Sequence, residues 1–387
     1  MGKELVALDW PSLTEKEVRA VLRRCQPLDV AWKNSEIDVV WYSPRPMSAA
    51  SLVRVGDSSV FVKRHHRAVR TPDQLGVEHA FANHLRRRGL TVPRVLRSLD
   101  GTTVVEDGEF VYEVHETASG IDLYRDVLSW APFMSLGHAR SAGRTLATFH
   151  EASRDFPLPS RPQGVLMSST AIVAAREPLA ALGRLLDARP RLARAVASRR
   201  LIDDFTRHHL VAIQRVAPFL TRLAPQWGHG DWHPSNLTWS STTPQAAVVG
   251  VFDLSLANRT FAVHDLAIAL ERTAIDWLDL ADQGRVDADL AAVDALLDGY
   301  CEVRPLDEVE TAALTELLPV VHLEYALSEV EYFAAIVRSE ANANLAYDGY
   351  FLGHARWFEG DAGSALLTHL RGRAECSKVR HEDGLRA

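Results

Sequence analysis

The sequence contains few cysteines and no long hydrophobic run. Its three cysteines, Cys25, Cys301 and Cys376, are scattered over 387 residues at spacings that suit neither a disulfide framework nor a zinc site. The apolar run AAVVGVF, residues 246–252, is far shorter than the roughly 18 residues that a membrane-spanning helix requires. The opening residues MGKELVALDW lack the apolar core of a signal peptide. We therefore expect a reduced, cytoplasmic protein that does not bind membranes.

Positive charge is also too sparse to indicate a nucleic-acid-binding protein. The net charge is -7, and the basic clusters at 63–70 and 86–88 carry no interleaved aromatic residues. Solvated surfaces explain these clusters better, so we expect no nucleic-acid partner.

Charge is unevenly distributed along the chain. Residues 1–228 contain 32 Lys and Arg against 24 Asp and Glu, whereas residues 229–360 contain 6 against 22. A basic half suits an anionic ligand and an acidic half suits a cationic one, because the fields of like charges add over a binding site. Acidic helix surfaces exposed to solvent would produce the same imbalance.

The front of the chain has the pattern of a small antiparallel sheet. An amphipathic helix at 13–24 comes first, with Thr14 as N-cap and Glu17 completing a capping box. One further helix is predicted at 73–89, ending at Gly89. Short β-rich runs lie around it at 37–43, 50–56, 58–65, 94–99, 102–107 and 110–116. They predict about five strands in the order β-β-β-α-β-β.

The rest of the chain is dominated by helical patterns, and strand-like sequence returns only near 236–253. The longest helical patterns lie at 137–153, 200–220, 286–300 and 317–339. We therefore predict an α+β protein with a sheet domain at 1–117 and a helical domain at 118–387.

The segment HGDWHPSN, residues 229–236, carries the side chains that phosphoryl transfer requires. Such a reaction needs a base or orienting group for the attacking hydroxyl and oxygen ligands for Mg²⁺. Asp231 would orient the hydroxyl or accept its proton, and Asn236 and Asp253 would hold the metal. A hairpin between LTWS and VVGVFD would return Asp253 to the side of Asn236. The alternative is that these residues only form a turn and a strand end.

The cation for the phosphates is expected in the sheet domain. Lys63 follows the alternating strand SSVFVKRHH, so its side chain could project toward the phosphates. Glu78, in the helix that follows, is a candidate partner for the lysine. Each could instead be an ordinary surface residue.

Together these motifs identify a resemblance to the aminoglycoside phosphotransferase and choline kinase family, over about residues 35–360. HGDWHPSN resembles the family's catalytic loop, and VFDLSLANRTFAVHDLA resembles its metal-binding segment. The resemblance implies a bilobal protein-kinase-like fold, with Asp231 as the catalytic residue, Asn236 and Asp253 as Mg²⁺ ligands, and Lys63 paired with Glu78.

The resemblance implies further roles. Asp265 would be a buried structural residue, and the helix ending in Phe149 and His150 matches a family segment. The backbone of Glu113 and His115, in YEVHETASG, would bind adenine. The acceptor would lie near Glu324, Tyr325 and Glu331.

One departure concerns the turn over the phosphates, which reads YSPRPMSAAS and contains no glycine. We expect its backbone to bind phosphate with help from Ser48 or Ser51, and Arg45 to add a cation.

The function expected from the sequence is ATP- and Mg²⁺-dependent phosphorylation of a hydroxyl on a small, amino-bearing and cationic acceptor, such as an aminoglycoside, amino sugar or amino alcohol. A homoserine-like amino acid is the nearest rival acceptor. A nucleotide-binding regulatory module without catalysis is an alternative of another class, favoured by the missing glycines. The sequence leaves the oligomeric state open.

Overall fold

The structure is a computed structural model that describes residues 8–27, 35–44, 47–162 and 164–384. Its chain forms two compact units. The sheet unit contains the described residues up to Gly120 together with Val249–Ser255, and the helical unit contains Ile121–Val248 and the described residues from Leu256 onward. Among the described residues, no helix has the length and apolar character needed to cross a membrane.

The sheet unit is built from two helices and five antiparallel strands in the spatial order β1-β2-β3-β5-β4. In chain order they are α1 (Glu15–Leu22), β1 (Ile37–Tyr42), β2 (Ala49–Val55), β3 (Ser58–His66), α2 (Pro72–Arg87), β4 (Val105–Asp107) and β5 (Phe110–Glu116).

The alternation of β3 separates core from functional side chains. Val60 and Val62 are fully buried in the core that also contains residues of α1. Since successive side chains of a strand point to opposite faces, Lys63 lies on the other face of the sheet. The neighbouring strand β5 places Glu113 directly opposite Lys63 in the register.

The first helix is fixed as the sequence predicts. Thr14 and Glu17 form the expected capping box. The Glu17 carboxylate also accepts hydrogen bonds from Arg64 at 2.7 Å and from the Tyr112 hydroxyl at 2.6 Å. Both donors are sheet residues, so one side chain caps the helix and attaches it to the sheet.

One predicted strand does not form. The run at 94–99 makes only isolated bridges, between Val95 and His115 and between Ser98 and Cys25. The order of the remaining elements is the predicted β-β-β-α-β-β, with five strands.

The helical unit carries most of the helices. They are α3 (Leu136–Ser153), α4 (Pro178–Ala188), α5 (Pro190–Val196), α6 (Leu201–His208), α7 (Leu210–Leu220), α8 (Ala262–Ala274), α9 (Trp277–Gln283), α10 (Leu290–Val303), α11 (Glu308–Leu317), α12 (Leu323–Glu331), α13 (Glu340–Asn344), α14 (Leu352–Glu359) and α15 (Asp361–Gly384). Its short strands are β6 (Pro225–Gly228), β7 (Leu237–Trp239) and β9 (Asn258–Phe261). A further strand, β8 (Val248–Val251), has its first residue in the helical unit and the others in the sheet unit. The single helix predicted at 200–220 is interrupted at His209, whose φ of -119° departs from helical values.

Helices α3 and α10 approach closely through a pair of glycines. A Cβ atom on Gly143 would lie 2.0 Å from the Leu296 carbonyl oxygen, and one on Gly299 would lie 2.0 Å from the Arg140 carbonyl oxygen. Neither helix can therefore carry a larger side chain at the crossing. This contact sets the positions of His150 on α3 and Tyr300 on α10, which are joined by a hydrogen bond of 2.7 Å.

Gly299→Ala should therefore lower the free energy of unfolding, by about 1–3 kcal/mol or more, because the added methyl group meets backbone atoms that cannot move aside. Gly183→Ala is the matched control, since a Cβ there meets no atom within 4 Å. In the interior of α4 that control should stabilise the protein by roughly 0.5–1 kcal/mol. Urea unfolding of both variants checks the prediction, which is wrong if the two substitutions shift stability in the same direction.

Candidate active site

The loop after β6 contains the predicted catalytic residue. It runs from His229 to His233 and ends in a turn of 3-10 helix at Pro234–Asn236. Gly230 takes a φ of +77°, and a Cβ there would lie 2.6 Å from the Leu256 carbonyl oxygen. Glycine is therefore required at this bend both for its conformation and for the space it leaves.

A buried carboxylate holds this loop. Asp265, at the start of α8, accepts hydrogen bonds from the backbone N–H groups of His229 and Gly230, each at 2.7 Å. The His150 ring lies 3.0 Å from the same carboxylate. Burial alone raises the pKa of Asp265, but the His150 and His229 rings and the Gly230 N–H outweigh it and hold the pKa below its ordinary value. The expectation that Asp265 is buried and structural is confirmed.

Asp231 projects from this loop with each carboxylate oxygen engaged. Arg272 of α8 donates to Oδ1, and the Asn236 side-chain amide donates to Oδ2 at 3.1 Å. The same amide donates to the Asp231 backbone carbonyl at 2.9 Å. His233 lies 3.5 Å from Oδ1. The structure thus brings Asp231 and Asn236 together as the spacing predicts, and it adds an arginine.

That arginine is enclosed by aromatic rings. The Arg272 guanidinium carbon lies 4.7 Å from the centre of the Trp130 ring and 5.2 Å from that of the Tyr325 ring. Its side chain is only 2 % exposed. Tyr325, predicted to contact the acceptor, therefore belongs to the surroundings of Asp231.

The predicted lysine and metal ligand meet within the sheet unit. The Lys63 ammonium lies 2.9 Å from Asp253 Oδ1, which also accepts from the Ser255 hydroxyl at 2.7 Å. Burial lowers the pKa of Lys63, but the charges of Asp253, Glu113 and Glu78 outweigh it and hold the pKa above its ordinary value. Glu78 is buried in α2 and contributes to this field, and its direct pairing with Lys63 stays a prediction.

Asp253 is ionised and held in an uncommon backbone conformation. Burial raises its pKa, but the adjoining Lys63 ammonium and Ser255 hydroxyl bring the pKa well below its ordinary value. Its φ is +59°, a left-handed conformation that non-glycine residues seldom adopt. Such conformations occur most often where a side chain must be aimed at a functional site.

Glu113 and His115 lie inside β5, paired with β3. The Glu113 carboxylate lies within hydrogen-bonding distance of three imidazole rings. The Nε2 atoms of His65, His79 and His115 lie 2.9, 2.7 and 3.0 Å from its oxygens. The sequence reasoning considered only the backbone of Glu113, so this buried network was missed. Adenine binding by the backbone of Glu113 and His115 stays a prediction.

Ser51, expected near the phosphates, does not lie on the same face of the sheet as Lys63. Ser51 pairs with Val62 and is fully buried, which places its hydroxyl on the face of the sheet opposite Lys63. That hydroxyl has no hydrogen-bond partner among the described residues. Ser48 lies just before β2, and Arg45 lies outside the described residues.

The acidic residues predicted to face the acceptor are occupied within the helical unit. The Glu324 carboxylate accepts from the Ser169 hydroxyl at 2.5 Å and from three backbone N–H groups, the nearest being that of Ile172 at 2.7 Å. Glu331 is paired with Arg189 at 2.6 Å. Both glutamates are buried. Both carboxylates thus have partners within the helical unit, and their contact with an acceptor stays a prediction.

A small cavity in the helical unit lies beside the Arg272 side chain. It is lined by Ser168, Ser169, Gly230, His264, Ile268, Glu271, Arg272, Val321, His322, Tyr325 and Tyr350. Of these, the sequence reasoning identified only Tyr325 as a binding residue. Arg272 follows Asp265 by two helical turns in VHDLAIALERTA, and this spacing was the signal that could have found it.

The family is settled by comparison with known proteins. The model of the phosphotransferase enzyme family matches residues 48–306. The chain belongs to this family. It is a phosphotransferase that acts on hydroxyl groups, and the resemblance inferred from HGDWHPSN is confirmed.

Three known proteins illustrate what this phosphotransferase is similar to. An uncharacterised protein of Deinococcus radiodurans is 29% identical over 279 residues, which cover 70% of each chain. A homoserine kinase of Methylobacterium radiotolerans is 28% identical over 247 residues, 64% of this chain and 66% of that protein. Among solved structures, a microcompartment-associated aminopropanol kinase superposes with a TM-score of 0.54 at 18% identity, over 91% of this chain and 98% of the other. The last comparison shows the fold, which is protein-kinase-like as expected.

Gly230→Ala in this phosphotransferase should destabilise the protein more than the same change at another glycine with positive φ. Gly284 is the matched control, because its φ is +66° but a Cβ there meets no atom within 4 Å. The control should cost about 1–2 kcal/mol from the left-handed conformation alone, whereas Gly230→Ala adds the clash with Leu256. Equal unfolding free energies for the two variants in urea would contradict this reading of the loop.

Glu271 should make the stability of this phosphotransferase fall as pH rises. Burial, with the Glu329 carboxylate nearby, raises the pKa of Glu271 from 4.5 to about 8. The folded protein then holds a proton that the unfolded chain releases between these values, so stability is full below pH 4.5 and declines up to about pH 8. Glu271→Gln should lose this decline, whereas Glu340→Gln at an exposed position should keep it. Urea midpoints across this pH range check the prediction, and parallel curves for wild type and Glu271→Gln would show it to be wrong.

Proposed function

We propose that this phosphotransferase transfers the γ-phosphoryl group of ATP, with Mg²⁺, to a hydroxyl of a small amino-bearing molecule. The observation that carries the proposal is the set of hydrogen bonds that holds the Asp231 carboxylate. Its carboxylate is held by a cation and an amide, on a loop that Asp265 fixes through two backbone hydrogen bonds. A carboxylate placed in this way can orient a hydroxyl and take its proton.

Each unit, taken by itself, offers side chains suited to a divalent cation or to a nucleotide. Asn236 uses its amide N–H groups on Asp231, which leaves its amide oxygen as the coordinating end. Asp253 is ionised, and both supply the hard oxygen ligands that Mg²⁺ prefers. When bound, the metal would offset the negative charge of the phosphates. The protonated Lys63 would bind phosphate oxygens, and the backbone of Glu113 and His115 would bind adenine.

In the transfer itself, the acceptor oxygen forms a bond to the γ-phosphorus while the bond from that phosphorus to the bridging oxygen breaks. The hydroxyl proton passes to the Asp231 carboxylate, and ADP is released. Most of the rate enhancement would come from positioning and from electrostatic stabilisation of the transferring group. Arg272 and Asn236 supply the positioning by limiting the rotation of the Asp231 side chain.

The acceptor class draws on two observations. The similar proteins include a homoserine kinase and an aminopropanol kinase, both named for acceptors with an amino group and a hydroxyl. The cavity beside Arg272 is small and walled by Val321, Tyr325 and Tyr350, which favours an amino alcohol or a hydroxy amino acid over a large aminoglycoside. Glu324 accepts backbone hydrogen bonds and Glu331 is paired with Arg189, so neither is counted here in favour of a polycationic acceptor.

Asp231→Asn should abolish acceptor-dependent turnover, with a loss of about 10²–10⁴-fold or more, because the amide cannot accept the hydroxyl proton. The measurement is ADP release from ATP and Mg²⁺ across aminoglycosides, amino sugars, choline, ethanolamine, aminopropanol and homoserine. Nucleotide affinity, measured by calorimetry, should stay within a few-fold of wild type.

Asp203→Asn is the control, since this exposed aspartate lies on α6 in a surface ion pair with Arg200. It should keep full turnover. Turnover that survives in Asp231→Asn would refute the assignment of the catalytic residue. Nucleotide binding without ADP production on any acceptor would favour the non-catalytic regulatory module instead.

A further inference from the structure

Arg272 presents one edge of its guanidinium to Asp231 and keeps the other unused. Its Nη1 donates to the Asp231 carboxylate. Its Nε is buried and has no hydrogen-bond partner among the described residues, and its Nη2 donates to none of them. The Nε–Nη2 edge is the one that binds a carboxylate through two parallel hydrogen bonds.

The cavity that Arg272 lines contains further unsatisfied groups. The Ser168 hydroxyl, His264 Nδ1 and His322 Nδ1 are all buried without a partner within the described part of the chain. A buried polar atom left unpaired costs about 1–3 kcal/mol, so folded proteins seldom retain several at one place. Four such atoms around one cavity, with Arg272 Nε included, are hydrogen-bonding positions that a bound molecule would fill.

The charges of the groups around the cavity indicate what kind of molecule would bind there. Burial lowers the pKa of His264 and of His322 to about 4, so both rings are neutral near pH 7. Burial and the Glu329 charge raise the pKa of Glu271 to about 8, so it too is mostly uncharged. Arg272 is thus the cation of the cavity wall, and the two aromatic rings that enclose its guanidinium keep it away from bulk water.

We propose that Arg272 is the specificity-determining residue of the acceptor site, and that its Nε–Nη2 edge binds a carboxylate on the acceptor. The acceptor would then be a hydroxy amino acid. This inference rests on the proposed function and narrows it. Since the same guanidinium holds Asp231, one residue connects recognition of the acceptor carboxylate to the placement of the group that receives the hydroxyl proton.

The test compares acceptors that differ only by a carboxylate. Suitable pairs are serine with ethanolamine, homoserine with 3-aminopropan-1-ol, and threonine with 1-aminopropan-2-ol. The wild type should use one amino acid at least about 100-fold better in kcat/KM than its decarboxylated partner, as expected for a bidentate ion pair left unmade in a buried site. Arg272→Gln should reduce this preference to a few-fold, mainly through KM for the amino acid, and Arg272→Lys should restore part of it.

Arg199→Gln is the matched control. Arg199 also lies over an aromatic ring, 4.3 Å from the centre of Tyr347, and near a carboxylate, 3.8 Å from that of Asp348. Its substitution should leave the acceptor preference unchanged, and thermal melting of each variant checks that it folds. A merely structural role for Arg272 would instead lower kcat equally for both members of a pair.

The outcomes separate this inference from the proposed function. Turnover of the amines or of aminoglycosides, with a preference that Arg272→Gln does not change, would overturn the carboxylate assignment and leave the kinase standing. An absence of ADP release with every acceptor would overturn both. A carboxylate preference that disappears in Arg272→Gln, and persists in Arg199→Gln, would establish Arg272 as its cause.

Discussion

The hydrogen bonds between the Asp265 carboxylate and the loop after β6 are the interaction on which the candidate site depends. A fully buried carboxylate costs several kcal/mol unless its oxygens are paired. Here the backbone N–H groups of His229 and Gly230 and the ring of His150 provide the partners. These hydrogen bonds fix the backbone at His229 and Gly230, and therefore the position from which the Asp231 side chain projects.

Helix α8 holds both the backbone of the loop around Asp231 and the Asp231 side chain. Asp265 and Arg272 are seven residues apart, which places them two turns apart on one face of the helix. One of them holds the loop and the other holds the Asp231 carboxylate. Because an α-helix is stiff over two turns, the geometry of the site follows from the position of this helix. The crossing of α3 and α10 then matters at a distance, since it places the His150 ring against Asp265.

Local signals in the sequence were sufficient for much of the fold and for the central residues. The capping box at Thr14, the alternation ending at Lys63 and the spacing within 229–236 are short-range patterns, and each corresponds to an observed feature. The errors have tertiary causes. The run at 94–99 is apolar enough for a strand but finds only isolated bridging partners, and the helix expected at 200–220 bends at His209. Arg272 was missed because its partner is 41 positions away in sequence.

The distribution of charge along the sequence does not reveal which carboxylates are paired within the fold. Counting acidic residues over 229–360 suggests a cationic acceptor, but part of that negative charge is already paired within the fold. Glu324 accepts hydrogen bonds from backbone N–H groups, and Glu331 is paired with Arg189. Buried polar groups that have no hydrogen-bond partner within the fold are the ones for which a bound molecule can supply one. In the cavity beside Arg272 the charged group of this kind is the free edge of that guanidinium, so the proposed acceptor chemistry rests on one side chain rather than on the net charge of the domain.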